Sequence, residues 1–186
     1  MTTDKQSSPS YSEELLSKAK VIKLLICDVD GVLSDGKIYF GNKEEELKSF
    51  SVKDGLGITQ LLNNGIQVAI ITGRRSEIVE RRAKELGISL VFQGKKNKQA
   101  AYLEIIRQLK IEQHQIAYIG DDLPDLPLMQ QSGIGISVAD GHWLVRQHAD
   151  WITVSVGGNG AVREVCDLLL SAQNKLSQIH SSYLKI

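Results

Sequence analysis

Acidic and basic side chains in this sequence collect where apolar runs end. The run from Val21 to Cys27 stops at Asp28-Val29-Asp30-Gly31, and residues 66–71 stop at Thr72-Gly73-Arg74-Arg75. Residues 89–92 lead into a lysine-rich stretch ending at Lys98, and residues 115–120 stop at Asp121 and Asp122, with Asp125 close behind. Asp28, Asp30 and Asp121 offer hard oxygen ligands suited to Mg2+, which needs few protein carboxylates when phosphate and water complete its octahedron. The Thr72 hydroxyl, the backbone around Gly31 and Gly73, and the Lys98 ammonium supply donors and positive charge for phosphoryl oxygens. Together these groups describe a phosphoryl-transfer site. Taken singly they are weak, since Asp beside Gly is common in turns and a carboxylate cluster can hold a structural cation. Their order, and their placement at successive run ends, supplies the specificity.

The runs that carry them have the length of buried strands, and each polar stop is followed by a helical pattern. Val79, Ala83 and Leu86 share one face of residues 76–86, and Tyr102, Ile105, Ile106 and Leu109 repeat that spacing. Strands alternating with amphipathic helices predict an α/β fold, a mostly parallel sheet with helices on both faces. Residues 133–138 and a short strand near Trp151 extend the sheet, and Ala161 to about Ile179 reads as one closing helix. In such a sheet ligands bind beyond the carboxyl ends of the strands, where all the polar stops fall. Residues 37–50 break the rhythm and read as a small β-hairpin after the first strand. A two-stranded ribbon is marginal in water, so Tyr39 and Phe40 need a partner, either the parent domain or another subunit. The expected organisation is a polar extension with a minor helix over 1–20, a domain over 21–178, and a tail over 179–186. Tyr183, Leu184 and Ile186 give that tail a small apolar patch.

The 186 residues suffice for one sizeable core. Lys plus Arg and Asp plus Glu each total 22, so no net field favours nucleic acid or an anionic membrane. No apolar run is long enough to span a bilayer, the N-terminus lacks an export signal, and Cys27 and Cys166 form no CxxC pair. A cytoplasmic setting is expected. His114, His142, His148 and His180 lack zinc-site spacing and lie away from the run ends. Neither GxGxxG nor GxxxxGK[ST] occurs, which removes the main support for dinucleotide and P-loop readings.

Through DVDGVLSDG, ITGR, the lysine before the next helix and GDDLPD, the sequence resembles the haloacid dehalogenase-like phosphatases over most of residues 21–170. Within that family, DVDGVLSDGKIYF, VKDGLGI, ITGRRS, QGKKNK, YIGDDLPDLPLM and GGNGAVREV are most similar to phosphatases acting on an eight-carbon sugar-acid phosphate in lipopolysaccharide synthesis. The resemblance implies a capless, Rossmann-like single domain and a homotetramer in which each hairpin approaches a neighbour's site. It implies Asp28 as nucleophile, Asp30 as acid and then base, and Mg2+ held by the Asp28 carboxylate, the Asp30 carbonyl and Asp121. Thr72 and Gly73 would hold the phosphoryl group and Lys98 would offset charge. Asp122 and Asp125 would support the metal or Lys98 from behind. Arg74 and Arg75 are candidates for the sugar carboxylate, or else surface residues, because Arg presents a planar fork to that group. Lys53 and Asp54 either line the same crevice or form an ordinary turn. Ser34 stands where Thr is usual in the family, and Trp143 stands where Pro is; Trp143 reads as a core or interface anchor. Two other functions stay open: a phosphatase for a nine-carbon sugar-acid 9-phosphate, and a noncatalytic regulatory protein that binds Mg2+ and phosphate.

Overall fold

The structure, a computed structural model, describes residues 11–43 and 45–184. Residues 1–10 of the polar extension and Ile186 of the tail lie outside the described residues. The chain begins with α1 (Glu13–Ala19) and β1 (Leu24–Cys27), then a hairpin of β2 (Tyr39–Phe40) and β3 (Glu46–Leu47), then α2 (Val52–Asn63). Three further strand and helix pairs follow: β4 (Gln67–Ile71) with α3 (Glu77–Leu86), β5 (Leu90–Phe92) with α4 (Lys98–Leu109), and β6 (Ile116–Gly120) with α5 (Leu126–Gln131). β7 (Ile134–Ser137), α6 (Trp143–His148), β8 (Trp151–Ile152), α7 (Ala161–Ala172) and α8 (Leu176–Leu184) complete it.

Six strands form one parallel sheet in the order β5-β4-β1-β6-β7-β8. β1 is buried on both faces: Leu25 and Cys27 join the core under α1, α2, α3 and α7, while Leu24 and Ile26 join the core under α4, α5 and α6. This alternation is why the strand reads as an unbroken apolar run. The sequence turns outward in both directions from β1, with β4 on one side and β6 on the other, so the topological switch point lies at its carboxyl end. Among the described residues no helix is long and apolar enough to cross a membrane, and no cap domain is evident.

Three sequence expectations are corrected, and one helix is added. The closing helix is two helices: Asn174 takes φ 58° and ends α7, and Lys175 Nζ donates to Asn64 O at 2.7 Å, docking the break on the end of α2. Residues 52–63, which carry Gly55 and Gly57 and therefore score poorly as helix, form α2. Gly57 is needed there because α2 packs closely on α7; a Cβ at that position would lie 3.0 Å from both Cys166 Cβ and Arg163 Cδ. Asp54 neither lines the crevice nor sits in a turn. It is buried in α2, and its oxygens accept from Gly160 N at 3.2 Å and Arg163 N at 2.7 Å, satisfying free amides at the start of α7. Trp143 is 66% exposed at the start of α6 and is not a core anchor.

Asp54→Ala leaves those buried amides without acceptors, and equilibrium urea unfolding should show a loss of about 2 kcal/mol.

Candidate active site

Strand register brings the polar stops together. Cys27 is level with Ile70 on β4 and Ile119 on β6, so Asp28 emerges between Thr72 and Asp121, which follow the neighbouring strands. Asp28 N donates to Ile119 O at 3.2 Å and keeps the loop start in the ladder. Lys98, at the start of α4, is carried in from the far side of β4. Asp28, Asp30, Thr72, Lys98, Asp121 and Asp125 all line one crevice, as do Gly73, Arg74 and Asp122.

The turn after Asp28 has a tight steric requirement. Gly31 takes φ 95°, a region that L side chains rarely adopt, and a Cβ there would overlap the Asp121 carboxylate. From behind, Gly158 N donates to Val32 O at 2.8 Å, so the GGNG loop braces the loop that follows Asp28.

Lys98 is the hub of the charges. Its side chain is 7% exposed, and Nζ donates to Asp28 Oδ1 at 2.7 Å and Asp125 Oδ1 at 2.6 Å. Burial alone disfavours the ammonium, but the two carboxylates outweigh it and its pKa stands above the ordinary lysine value. Asp125 is saturated: Tyr118 Oη also donates to its Oδ1 at 2.7 Å, and the amides of Asp121 and Asp122 approach Oδ2 at 3.3 and 3.4 Å. Asp28 and Asp121 lack that support. Burial first, then the Asp125 charge, pushes Asp28 up to about 7 against the opposing pull of Lys98. Burial and the charges of Asp28, Asp125 and Asp122 push Asp121 up to about 8.

Ligand oxygens of Asp28, Asp121 and Asp125 lie within 4.8 Å of one another. Such crowded hard oxygens fit a divalent cation. Because Asp125 already accepts from four donors, Asp28 and Asp121 are the carboxylates with capacity left for it. Thr72 is buried, and its Oγ1 accepts from Arg74 N at 3.4 Å, which leaves the hydroxyl proton to donate elsewhere. Asp122 Oδ1 accepts from Leu123 N at 2.8 Å at the crevice rim.

The two arginines part company. Arg74 points into the crevice, with Nε 3.9 Å from Asp30 Oδ2 and Nη2 3.9 Å from Glu46 Oε1. Arg75 lines a separate depression with Ser76, Glu77, Glu80 and Gln93. Two residues of the site were not singled out in the sequence. Tyr118 was hidden in an apolar strand run. Lys48 was hidden in a charged hairpin arm, yet it hydrogen-bonds Asp30 with a side chain only 1% exposed. Period-two spacing of Glu46 and Lys48 opposite Leu47 was the available signal.

The profile of the haloacid dehalogenase-like hydrolases matches residues 56–133. The 3-deoxy-D-manno-octulosonate 8-phosphate phosphatase of Yersinia pestis is 53% identical over 165 residues, 89% of this chain and 88% of its own. That of Escherichia coli K12 is 52% identical over 167 residues, 90% of this chain and 89% of its own. The crystal structure of the Moraxella catarrhalis phosphatase of the same name, in complex with magnesium ion, phosphate ion and KDO, has a TM-score of 0.91 at 50% identity and covers 93% of this chain and 99% of its own. The chain therefore belongs to the haloacid dehalogenase-like hydrolases and, among them, to the family of the 3-deoxy-D-manno-octulosonate 8-phosphate phosphatases.

The raised carboxyls have a signed consequence for stability. Folded Asp28 and Asp121 hold protons that the unfolded chain, titrating near ~3.9, releases. Their protonated forms therefore favour the folded state, and that advantage is lost as pH rises from about 4 through about 8. In chelator, thermal unfolding should show wild type losing stability relative to Asp121→Asn between pH 5.5 and 8.5. Added Mg2+ should stabilise wild type most at the upper end of that range.

Proposed function

We propose that this protein hydrolyses 3-deoxy-D-manno-octulosonate 8-phosphate to the free sugar acid and inorganic phosphate, with Mg2+ bound, through an aspartyl-phosphate on Asp28. The observation that carries the reading is the buried Asp28 carboxylate, held by Lys98 at the strand end where Thr72 and Asp121 also converge. The relative solved with magnesium, phosphate and KDO supports the choice of ion and substrate class.

Asp28 Oδ attacks phosphorus as the bond from phosphorus to the sugar oxygen breaks, and Asp30 delivers a proton to that oxygen. Asp30 then takes a proton from water as the water oxygen attacks phosphorus, releasing phosphate and restoring the Asp28 carboxylate. An anionic nucleophile approaching a phosphate dianion meets repulsion, which Lys98 reduces from one side. The Thr72 hydroxyl and the Gly73 amide donate to phosphoryl oxygens. The Asp28 carboxylate, the Asp30 carbonyl and Asp121 would hold Mg2+, with Asp122 supporting its coordination shell, and Asp125 fixes Lys98. Bound Mg2+ supplies charge neutralisation between carboxylate and phosphoryl oxygens. Arg74, open to the crevice, is placed to receive the sugar carboxylate with its planar fork; Arg75 stands outside it. A cytoplasmic setting suits the two unpaired, buried thiols of Cys27 and Cys166.

Assembly as a homotetramer, with each hairpin completing a neighbour's site, belongs to the same proposal. The hairpin's root is tied to its own crevice through Lys48, but its tip leaves Phe40 75% and Leu47 64% exposed. An apolar tip on a two-stranded ribbon is a surface suited to a second copy.

Phosphate release across a panel of eight- and nine-carbon sugar-acid phosphates, with and without EDTA, tests the function. The eight-carbon substrate should be preferred and EDTA should abolish turnover. Asp28→Asn should fold normally yet lose activity by at least about 10⁴-fold, with no trapped phosphoenzyme; substantial residual turnover would remove the nucleophile. Light scattering should report a smaller particle for Phe40→Asp than for wild type, and an unchanged mass would remove the hairpin from the interface.

A further inference from the structure

The hairpin is built inside out for a solvated ribbon. Leu47 and its cross-strand partner Tyr39 face outward and Phe40 is exposed at the tip, whereas the alternate positions Glu46 and Lys48 carry their charges inward. The Lys48 side chain is 1% exposed, and its ammonium meets Asp30 Oδ1 and lies 3.4 Å from Glu46 Oε1. Burying an ammonium on a small peripheral ribbon is unfavourable unless strong partners wait for it.

Asp30 has a matching need. Among the described residues Lys48 is the hydrogen-bond donor to its carboxylate, since Arg74 Nε stands at 3.9 Å from Oδ2, beyond hydrogen-bonding reach. The arm carrying Lys48 is also fixed to the nucleophile loop. Phe50, next on the inward face, bridges to Ser34, and Ser34 bridges to Asp30. Backbone and side chain thus both connect the hairpin to one carboxylate.

We infer that Lys48 is a positioning residue for proton transfer: its ammonium donates to Oδ1 of the Asp30 carboxyl group and so orients the opposite oxygen, which carries the proton delivered to the leaving sugar oxygen. Through Lys48 the hairpin thereby acts on the chemistry of its own chain. This inference rests on the acid role proposed for Asp30.

The test uses first-turnover release of the leaving group from the sugar phosphate and from 4-nitrophenyl phosphate, whose phenolate departs with little need of a proton. Lys48→Met should slow release from the sugar phosphate at least about tenfold and from the aryl phosphate less than about twofold. Lys48→Arg, which keeps the charge, should recover much of the loss. In an Asp30→Asn background, Lys48→Met should add nothing further, because both changes act through one carboxylate. Equal slowing of both substrates, no slowing of either, or full additivity would overturn the inference. Asp30→Asn alone separates the two levels of the proposal. If it fails to distinguish the substrates, the acid role itself is wrong; if it distinguishes them and Lys48→Met does not, only Lys48 is misassigned.

Discussion

The ammonium of Lys98 lies between two buried carboxylates, and a third, that of Asp121, lines the same crevice. Ionised together, three carboxylates against one ammonium leave an excess of two negative charges. Two routes relieve that excess: protons, which burial first and the crowded charges second make Asp28 and Asp121 bind above the usual range, or a divalent cation. The second route would leave Asp28 ionised and would bring the balance to zero, removing the repulsion of a phosphate dianion. Lys98 therefore does more than neutralise. It fixes which carboxylate is tied up, because Asp125 is held by Lys98, Tyr118 and two amides, while Asp28 keeps one oxygen free.

Rigidity comes from the sheet. Four segments distant in sequence reach one point because β1 is hydrogen-bonded to β4 and β6 in fixed register and its carboxyl end is the switch point of the topology. The tolerance is small where Gly31 turns beneath Asp121, and the GGNG loop braces that turn from the opposite side. Asp54 extends the support, joining α2 to the start of α7 immediately after that loop. A residue first read as a turn or crevice position thus belongs to the framework of the site.

Much of this was legible in the sequence because the signals were strong and local. Buried parallel strands announce themselves as short apolar runs, and all six sheet strands fall within one to three residues of the runs that mark them. The crevice residues were legible because they follow those runs. What was missed depended on contacts that no local pattern encodes. α2 hides because its glycines look like helix breakers until α3 is packed on Gly55 and α7 on Gly57. The break between α7 and α8 depends on Asn64, more than a hundred residues away. Tyr118 looks like core until its hydroxyl is seen on Asp125, and Lys48 looks like a solvated charge until the hairpin folds over Asp30.

The central position of β1 also bears on how the molecule is made. This strand leaves the ribosome before both of its sheet partners, which begin at Gln67 and Ile116, and before the loop near Gly158 that braces the turn at its carboxyl end. Domains fold as units while the chain emerges from the N-terminus. The nascent chain therefore carries a wholly apolar strand whose two edges are both paired only after β6 has emerged. The turn at Asp28 gains its brace only once Gly158 has emerged, long after Asp28 itself.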